Sequence, residues 1–247
     1  MTSSTRYLLR IEIGENKQVY FSQGNLCANY GSLDTWSWEF APDQWSCFGN
    51  EMDLGFIVIT GNGTVGGDSY IDLFGWSTDA TYYGIHNSED DADYSGAFID
   101  WGNTIGNGWY TMDKGEWYYL LGLRENASEK YGYGSIDDVK GLIILPDTWT
   151  LPTDLTFTAG NSDWANSYTT TEWEQMEAAG AVFLPTAGCR GGTFIEEGLG
   201  SDGYYWSSTP YGNEKAYCMT FNSINLDPQY TCKRHHGLSV RLVKDAN

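Results

Sequence analysis

The chain is short of positive charge. Its 247 residues contain 13 Lys and Arg against 33 Asp and Glu, a formal net charge of −20. A surface this acidic repels phosphate backbones and anionic lipid headgroups. We therefore expect no nucleic-acid partner.

The chain also lacks long apolar runs and linker-like tracts. No run approaches the roughly 18 residues of a membrane-spanning helix, so we expect no membrane insertion. The apolar piece YLLRIEI (7–13) is short and is interrupted by Arg10 and Glu12, which indicates a first strand rather than a signal peptide. No Pro-rich, Ser-rich or charge-block segment divides the chain, which predicts one domain over residues 1–247.

Cysteine is scarce and irregularly spaced. There is no C-x-x-C motif, and the odd number of cysteines argues against a disulfide framework. Reduced thiols or a single pair are the expectation for the five residues Cys27, Cys47, Cys189, Cys218 and Cys232.

Aromatic residues and glycine are abundant. Aromatics make up 16% of the chain, and there are 30 Gly. This composition is typical of many short strands and tight turns with aromatic burial. Short apolar runs predict strands at 141–146, 181–185, 204–210, 216–222 and 238–244.

Two segments have helical patterns. Segment 111–124 places one residue set at i, i+3, i+4 and i+7: Trp117, Leu120, Leu121 and Arg124. Segment 169–180 has Thr171 and Glu174 at capping-box spacing and Gly180 as a stop. Its predicted inward face holds Trp173, Met176 and Ala179. Two short helices among short strands predict an α+β fold with much irregular loop.

Long aromatic-rich motifs carry a family resemblance over nearly the whole chain. The chain resembles a paralogous bacterial family related to the formylglycine-generating, sulfatase-modifying proteins, which have a C-type lectin-like fold. The resemblance implies that fold here, and it leaves enzyme and binding roles open. The motifs are VYFSQGNL (19–26), FAPDQW (40–45), DLFGWSTDATYYGI (72–85), FIDWGNTIGNGWYTMDKGEWYYLL (98–121), GLIILPDTW (141–149), AGAVFLPTAGCR (179–190), YYWSSTP (204–210) and GLSVRLV (237–243).

The resemblance permits an enzyme as an alternative function. Formylglycine-generating enzymes use two cysteines that lie close together ahead of a strand like GLSVRLV. Here Cys232 lies close before that strand and Cys218 is fourteen residues further back. The close pair is therefore missing from the sequence, which counts against oxidase chemistry.

Two metal sites are weaker hypotheses. A zinc quartet of Cys218, Cys232, His235 and His236 has suitable ligands. However, adjacent histidines in an extended segment point to opposite faces. The acidic loop 87–96, NSEDDADYSG, offers oxygen ligands for Ca²⁺ and supports a calcium-dependent lectin as an alternative, but it lacks an EF-hand pattern. We expect no cofactor.

The C-terminal segment is best interpreted as a strand with one variable face. Strand alternation predicts that Tyr217, Met219 and Phe221 are buried and that Cys218 and Thr220 face outward. The outward residue types share one property. Asn, Tyr, Thr, Cys, Ile, Asp and His can all be reached from the codon AAC by changing only its adenines.

This codon property is a signature of adenine-directed mutagenesis, so the segment resembles the variable proteins of diversity-generating retroelements. The resemblance implies a non-catalytic binding protein that recognises a protein or glycan ligand through a variable region of about 189–236. A cell surface or a phage particle is the implied place, reached through a separate targeting element. Lys233 and Arg234 are interpreted as fixed positions, and Cys189, Phe194, Asp202 and Tyr204 as weaker upstream candidates. The candidate contact residues are Tyr211, Asn213, Cys218, Thr220, Asn222, Ile224, Asn225, Asp227, Tyr230, Thr231, Cys232, His235 and His236.

Overall fold

Short strands in small sheets dominate the structure, a computed structural model that describes residues 10–30, 36–47, 59–60, 64–65, 70–85, 88–160, 163–192 and 194–246. Within these ranges the strands are β1 (Ile11–Gly14), β2 (Lys17–Phe21), β3 (Leu26–Tyr30), β4 (Trp36–Phe40), β5 (Ile59–Thr60), β6 (Thr64–Val65), β7 (Tyr70–Ile71), β8 (Trp109–Thr111), β9 (Tyr131–Ile136), β10 (Val139–Ile144), β11 (Asn166–Tyr168), β12 (Val182–Pro185), β13 (Ala187–Gly191), β14 (Phe194–Leu199), β15 (Gly203–Tyr211), β16 (Lys215–Asn222), β17 (Asn225–Lys233) and β18 (Leu242–Asp245). The α-helices are α1 (Gly102–Ile105), α2 (Lys114–Tyr118) and α3 (Thr170–Ala178). The predicted α+β class with small sheets and much loop is confirmed, although the described ranges contain three α-helices instead of the two predicted.

The strands form several separate sheets. The orders are β1-β2-β18-β8, β11-β9-β10-β12, β4-β3-β7, β15-β16-β17, β13-β14 and β5-β6. Pairing is antiparallel except between β11 and β9. In the first sheet β18 lies between β2 and β8, so the C-terminal strand pairs with strands from the first half of the chain.

Helix α2 lies inside the first predicted helical segment. Asp113 and Glu116 form a capping box at its start, and the chain continues as a π-helical turn over Tyr119–Leu123. The four residues predicted to share a face, Trp117, Leu120, Leu121 and Arg124, are all buried. The inward face of this segment is thus confirmed.

Helix α3 lies in the second predicted segment, but its capping box was assigned to the wrong pair. Thr169, not Thr171, accepts from the backbone and pairs with Glu172. Thr169 has extended backbone angles, whereas Thr171 is already inside the helix. Trp173 and Met176 are buried as predicted, and Gly180 follows the helix with φ +95°.

The predicted strand at 238–244 is shorter than expected. Only β18 is regular, while Leu238 and Ser239 form isolated bridges to Phe74 and Tyr205. This segment passes between two sheets instead of extending either, so its pairing is limited to single bridges. The predicted strands at 141–146 and 181–185 correspond to β10 and β12, which are largely buried.

The sheet β15-β16-β17 lies between two apolar cores. One core contains Trp206 and Cys218 together with Leu238. The other contains Met219 and Phe221. Both faces of the middle of β16 are therefore covered by protein. No helix in the described ranges is long and apolar enough to cross a bilayer.

Candidate functional site

The predicted outward face of β16 is wrong at its centre. Cys218 is 0% exposed, Thr220 8% and Cys232 6%. The strand rule of alternating faces holds where one face meets solvent, but here each face of β16 packs against a different core. Cys218, Thr220 and Cys232 are therefore not positioned to contact a ligand. Cys189, an upstream candidate, is also buried.

The other candidate residues of the segment are at least partly accessible to solvent. Ile224 is 83% exposed, Tyr211 51% and Tyr230 47%. The remaining candidates of the segment are exposed or half-buried: Asn213, Asn222, Asn225, Asp227, Thr231, His235 and His236. Of the other upstream candidates, Asp202 and Tyr204 are half-buried, and the side chain of Phe194 lies outside the described part of the structure.

Two of these polar candidates shape the backbone of the β16–β17 hairpin. Asn222 Oδ1 accepts from the backbone N–H of Ile224 at 3.1 Å and of Asn225 at 3.0 Å, which closes the turn. Asp227 Oδ1 accepts from the N–H of Gln229 at 2.8 Å. Asparagine and aspartate are common in turns because their side chains can make such local bonds. Ile224 is presented at the tip of this turn.

The exposed candidates do not form one continuous patch. The hairpin turn with Ile224 lies at one end of β16, and Tyr211 pairs with Lys215 at the other. At about 3.3 Å per residue, the ends of β16 are roughly 23 Å apart. Tyr230 lies between them, on the edge strand β17. A ligand that touches all of these side chains would have to span the whole strand.

A lysine–tyrosine cluster, formed by Lys114, Tyr211, Lys215, Tyr217 and Lys233, occupies the end of the sheet opposite the turn. The rings of Tyr211 and Tyr217 are edge-to-face with centroids 5.3 Å apart. Lys114 Nζ lies 4.2 Å from the Tyr217 ring centroid. Lys215 lies between Tyr211 and Lys233 in the strand register. Sequence reasoning noted Lys233 as a fixed position but did not group it with Lys114 and Lys215, because the three lysines form no sequence motif.

The two histidines contact each other, and one of them contacts the acidic loop. His235 Nδ1 lies 2.7 Å from Asp91 Oδ1, and the rings of His235 and His236 are 4.8 Å apart. Asp91 begins a short 3₁₀ helix, Asp91–Tyr94, in the acidic loop. The four side chains of the zinc hypothesis are not arranged as a metal site among the described residues, and the His235 ring lies against Asp91.

The acidic loop uses its carboxylates separately. Asp90 Oδ1 accepts from the N–H of Ala92 at 2.9 Å, and Ser88 donates to Asp93. Asn87, the first residue of the loop considered for calcium, lies outside the described residues. Within the described ranges, no three or more His, Cys, Asp or Glu side chains are arranged to hold a metal ion.

Arg234, the residue before the two histidines, anchors this part of the chain through buried hydrogen bonds. Its buried guanidinium donates to the backbone carbonyls of Tyr94, Gly96, Gly212 and Lys215 at 3.0–3.3 Å. It also lies 4.2 Å from the ring centroid of Trp76. Burial lowers the pKa of Arg234. These contacts tie the acidic loop to the β15–β16 turn, at one end of the sheet, which explains an arginine at this position.

Two further buried arginines position the segment that follows. Arg190 and Gly237 exchange backbone hydrogen bonds at 2.8 and 2.6 Å. A Cβ on Gly237 would lie 2.6 Å from Arg190 Nε, so the site accepts only glycine without movement. Arg241 donates to the carbonyls of Ser22, Gln44 and Phe183 and to Asn25 Oδ1. Burial lowers the pKa of Arg241 to about 10.

The thiols of Cys218 and Cys232 contact each other on the face of the sheet that packs against the core with Trp206 and Leu238. Their Sγ atoms are 3.1 Å apart although the residues are fourteen positions apart in sequence. The cysteine pair that is close in sequence is missing, as stated above, but the antiparallel hairpin brings Cys232 beside Cys218 in space. Burial, and next the hydrogen bond to Cys232, raise the pKa of the Cys218 thiol.

The comparisons with known proteins add one match. Residues 164–243 match a family model described as a domain of unknown function (DUF8237). This range covers roughly the last third of the chain, from β11 to β18. Neither the curated proteins nor the solved structures include a match to the chain.

Proposed function

We propose that this protein is a non-catalytic binding domain that recognises a protein or glycan ligand through the exposed side chains at the two ends of β16, along the edge strand β17 and in the adjoining His235–His236 loop. One observation carries the proposal. Among the exposed large hydrophobic side chains of the described ranges, Tyr211, Ile224 and Tyr230 lie within one short segment. Exposed aromatic and aliphatic side chains of this kind supply most of the binding energy in recognition surfaces.

The support beneath this surface suits a binding role. The buried arginines Arg190, Arg234 and Arg241 hold the backbone by hydrogen bonds to carbonyl groups, independently of the exposed side chains. Exposed residues on such a scaffold can change without loss of the core. This arrangement supports, as a proposal, a C-type lectin-like architecture whose surface is diversified by a retroelement.

The proposed variable set is smaller than the sequence suggested. Cys218, Thr220 and Cys232 leave it because they are buried. The set that stays is Tyr211, Asn213, Asn222, Ile224, Asn225, Asp227, Tyr230, Thr231, His235 and His236. A cell surface or a phage particle is the proposed place of action.

The neighbouring DNA tests the diversified surface. We expect a near-identical copy of the segment's coding sequence beside a reverse transcriptase gene. That copy should have adenines at the codons of the ten residues in the proposed variable set. A complete genome without such a repeat would overturn diversification and leave the binding proposal to its own test.

A matched pair of variants tests the binding surface. The triple variant Tyr211→Ala, Ile224→Ser, Tyr230→Ala is compared with the triple variant Tyr118→Ala, Leu123→Ser, Leu151→Ala, which removes exposed apolar groups elsewhere. Both are screened beside the unmodified chain on an array of glycans and of bacterial surface proteins. We expect the first variant to lose at least tenfold in affinity for any ligand found and the second to retain it. Equal retention by both would contradict the proposed surface.

The thiol contact favours one alternative, an oxidase of the sulfatase-modifying type. The raised pKa of Cys218 opposes it, because the thiolate is the reactive form. Oxidation of a cysteine-containing peptide by the unmodified chain, abolished in Cys232→Ala, would support the enzyme. A calcium-dependent lectin is the other alternative, and loss of glycan binding on chelation would support it.

A further inference from the structure

The hairpin β16–β17 brings two thiols into contact next to the edge of the sheet. Cys218 and Cys232 are both buried, and their Sγ atoms are 3.1 Å apart. Cys218 pairs in register with Tyr230, and Cys232 pairs with Ala216, so the two cysteines are diagonal neighbours on adjacent strands. Diagonal neighbours in an antiparallel pair are within reach of each other's side chains.

β17 is an edge strand of this sheet, and three features weaken its attachment. Among the described strands, β17 pairs with β16 alone. It also contains Pro228, which lacks an N–H, and a register shift lies between Cys218 and Thr220. The exposed Tyr230 and the half-buried Thr231 are on this strand, so their placement depends on how firmly β17 is held.

We infer that Cys218 and Cys232 are a cross-linking site that closes to a disulfide when the chain folds in the presence of a disulfide oxidant. A disulfide requires an S–S distance of about 2.05 Å, so the sulfur atoms must approach by roughly 1 Å. A strand with a neighbour on one side can make this movement. The cross-link encloses the hairpin turn and holds Tyr230 and Thr231 in place before a ligand arrives.

The chemistry balances with a small disulfide such as oxidised glutathione. The two cysteine thiols lose two protons and two electrons as the Sγ–Sγ bond forms. The S–S bond of glutathione accepts both and becomes two thiols, by way of a mixed disulfide. Because the folded thiols are shielded from solvent, we place the exchange during folding, before the core closes.

The test is disulfide mapping of the full-length chain. The reduced protein is unfolded in denaturant and refolded with a mixture of reduced and oxidised glutathione. It is then denatured, alkylated and digested for mass spectrometry. We expect three of the five cysteines to be alkylated and the peptides that contain Cys218 and Cys232 to be joined. Alkylation of all five, a bond between any other pair, or glutathione retained on Cys218 or Cys232 would overturn the inference.

Thermal unfolding provides a second measurement with a matched control. The oxidised chain should melt roughly 5 °C or more above the same chain after reduction. Cys27→Ala, which removes another buried thiol, should show the same difference. Cys218→Ala and Cys232→Ala should show none. If either of these variants fails to fold, the mapping of the unmodified chain still decides the question.

Discussion

His235 Nδ1 lies 2.7 Å from Asp91 Oδ1, which joins the residue two positions after β17 to a loop 144 positions earlier in the chain. The contact is partly buried, since the side chain of His235 is 12% exposed and that of Asp91 28%. Partly exposed pairs of this type contribute about 1 kcal/mol or less. The bond therefore orients the loop beside the proposed binding surface more than it stabilises the fold.

A double-mutant cycle tests this contact. We expect His235→Gln and Asp91→Asn each to lower the free energy of unfolding by about 0.5–1 kcal/mol. The double variant should lose little more than either single variant, because one interaction is lost in all three. The control combines His235→Gln with Asp245→Asn, which bonds Tyr110, and these effects should add. Additive losses for His235 and Asp91, measured by urea unfolding, would show that they do not interact.

The boundary between surface and core gives a second prediction. Ile224→Asn should change the free energy of unfolding by about 0.5 kcal/mol or less, because Ile224 is at an exposed turn. Cys218→Asn should cost about 2 kcal/mol or more, because it buries an amide in an apolar core. Urea unfolding of both variants checks this contrast. Comparable losses would mean that Cys218 is a surface position, as the sequence suggested.

Sequence patterns located the elements of the fold better than the faces of its strands. The alternation rule assigned Cys218 to solvent because it assumes one wet face. The residue packs instead with Trp206 and Leu238, while its neighbour Met219 packs in a second core on the other side. Nothing in the local pattern around Cys218 reveals that second core.

The contacts that define the candidate site were also invisible to sequence spacing. The His235–Asp91 bond and the Cys218–Cys232 contact both depend on which distant segments the fold brings together. The Thr169 capping box was missed for a different reason. Two Thr-x-x-Glu patterns overlap at 169–174, and only the backbone shows where the helix begins.

Arg241 gives a third prediction. Its guanidinium donates to the carbonyls of Ser22, Gln44 and Phe183, which lie in three distant segments. A lysine ammonium cannot reproduce this planar fork. Arg241→Lys should therefore cost about 3 kcal/mol or more in urea unfolding, since it leaves buried carbonyls without donors. The exposed Arg10→Lys is the control and should change stability by about 0.5 kcal/mol or less.

Buried tyrosines predict a loss of stability in alkali. Burial raises the pKa of Tyr94 and of Tyr168 to about 12. In the unfolded chain these hydroxyls ionise near pH 10. Above about pH 10 the unfolded state therefore binds fewer protons than the folded state, and stability falls as pH rises.

The expected slope is about 1.4 kcal/mol per pH unit for each such tyrosine between about pH 10 and 12. Urea midpoints between about pH 9 and 11 measure it, alongside the near-ultraviolet absorbance of tyrosinate. Tyr168→Phe should make this slope shallower by the contribution of one tyrosine, about 1.4 kcal/mol per pH unit. If every tyrosine of the folded protein ionised near pH 10, the prediction would be wrong.

Lys215 and Lys233 are directly opposed in the register of β16 and β17, and both are exposed. Neither forms an ion pair in the part of the chain that the structure describes. Like charges directly opposed across strands are destabilising, so Lys233→Glu should raise the free energy of unfolding by about 0.5 kcal/mol. Urea unfolding measures this gain, which should shrink at high salt.

The double variant Lys215→Glu, Lys233→Glu restores a like-charge pair and should lose the gain. Lys244→Glu adds the same charge to another sheet and should give no stabilisation, because the chain already carries a net charge of −20. Destabilisation by Lys233→Glu at low salt would contradict the repulsion. Retention of this like-charge pair beside the exposed Tyr211 fits selection for binding rather than for stability. Any anionic ligand of the lysine–tyrosine cluster should therefore bind Lys233→Glu more weakly even though its fold is more stable.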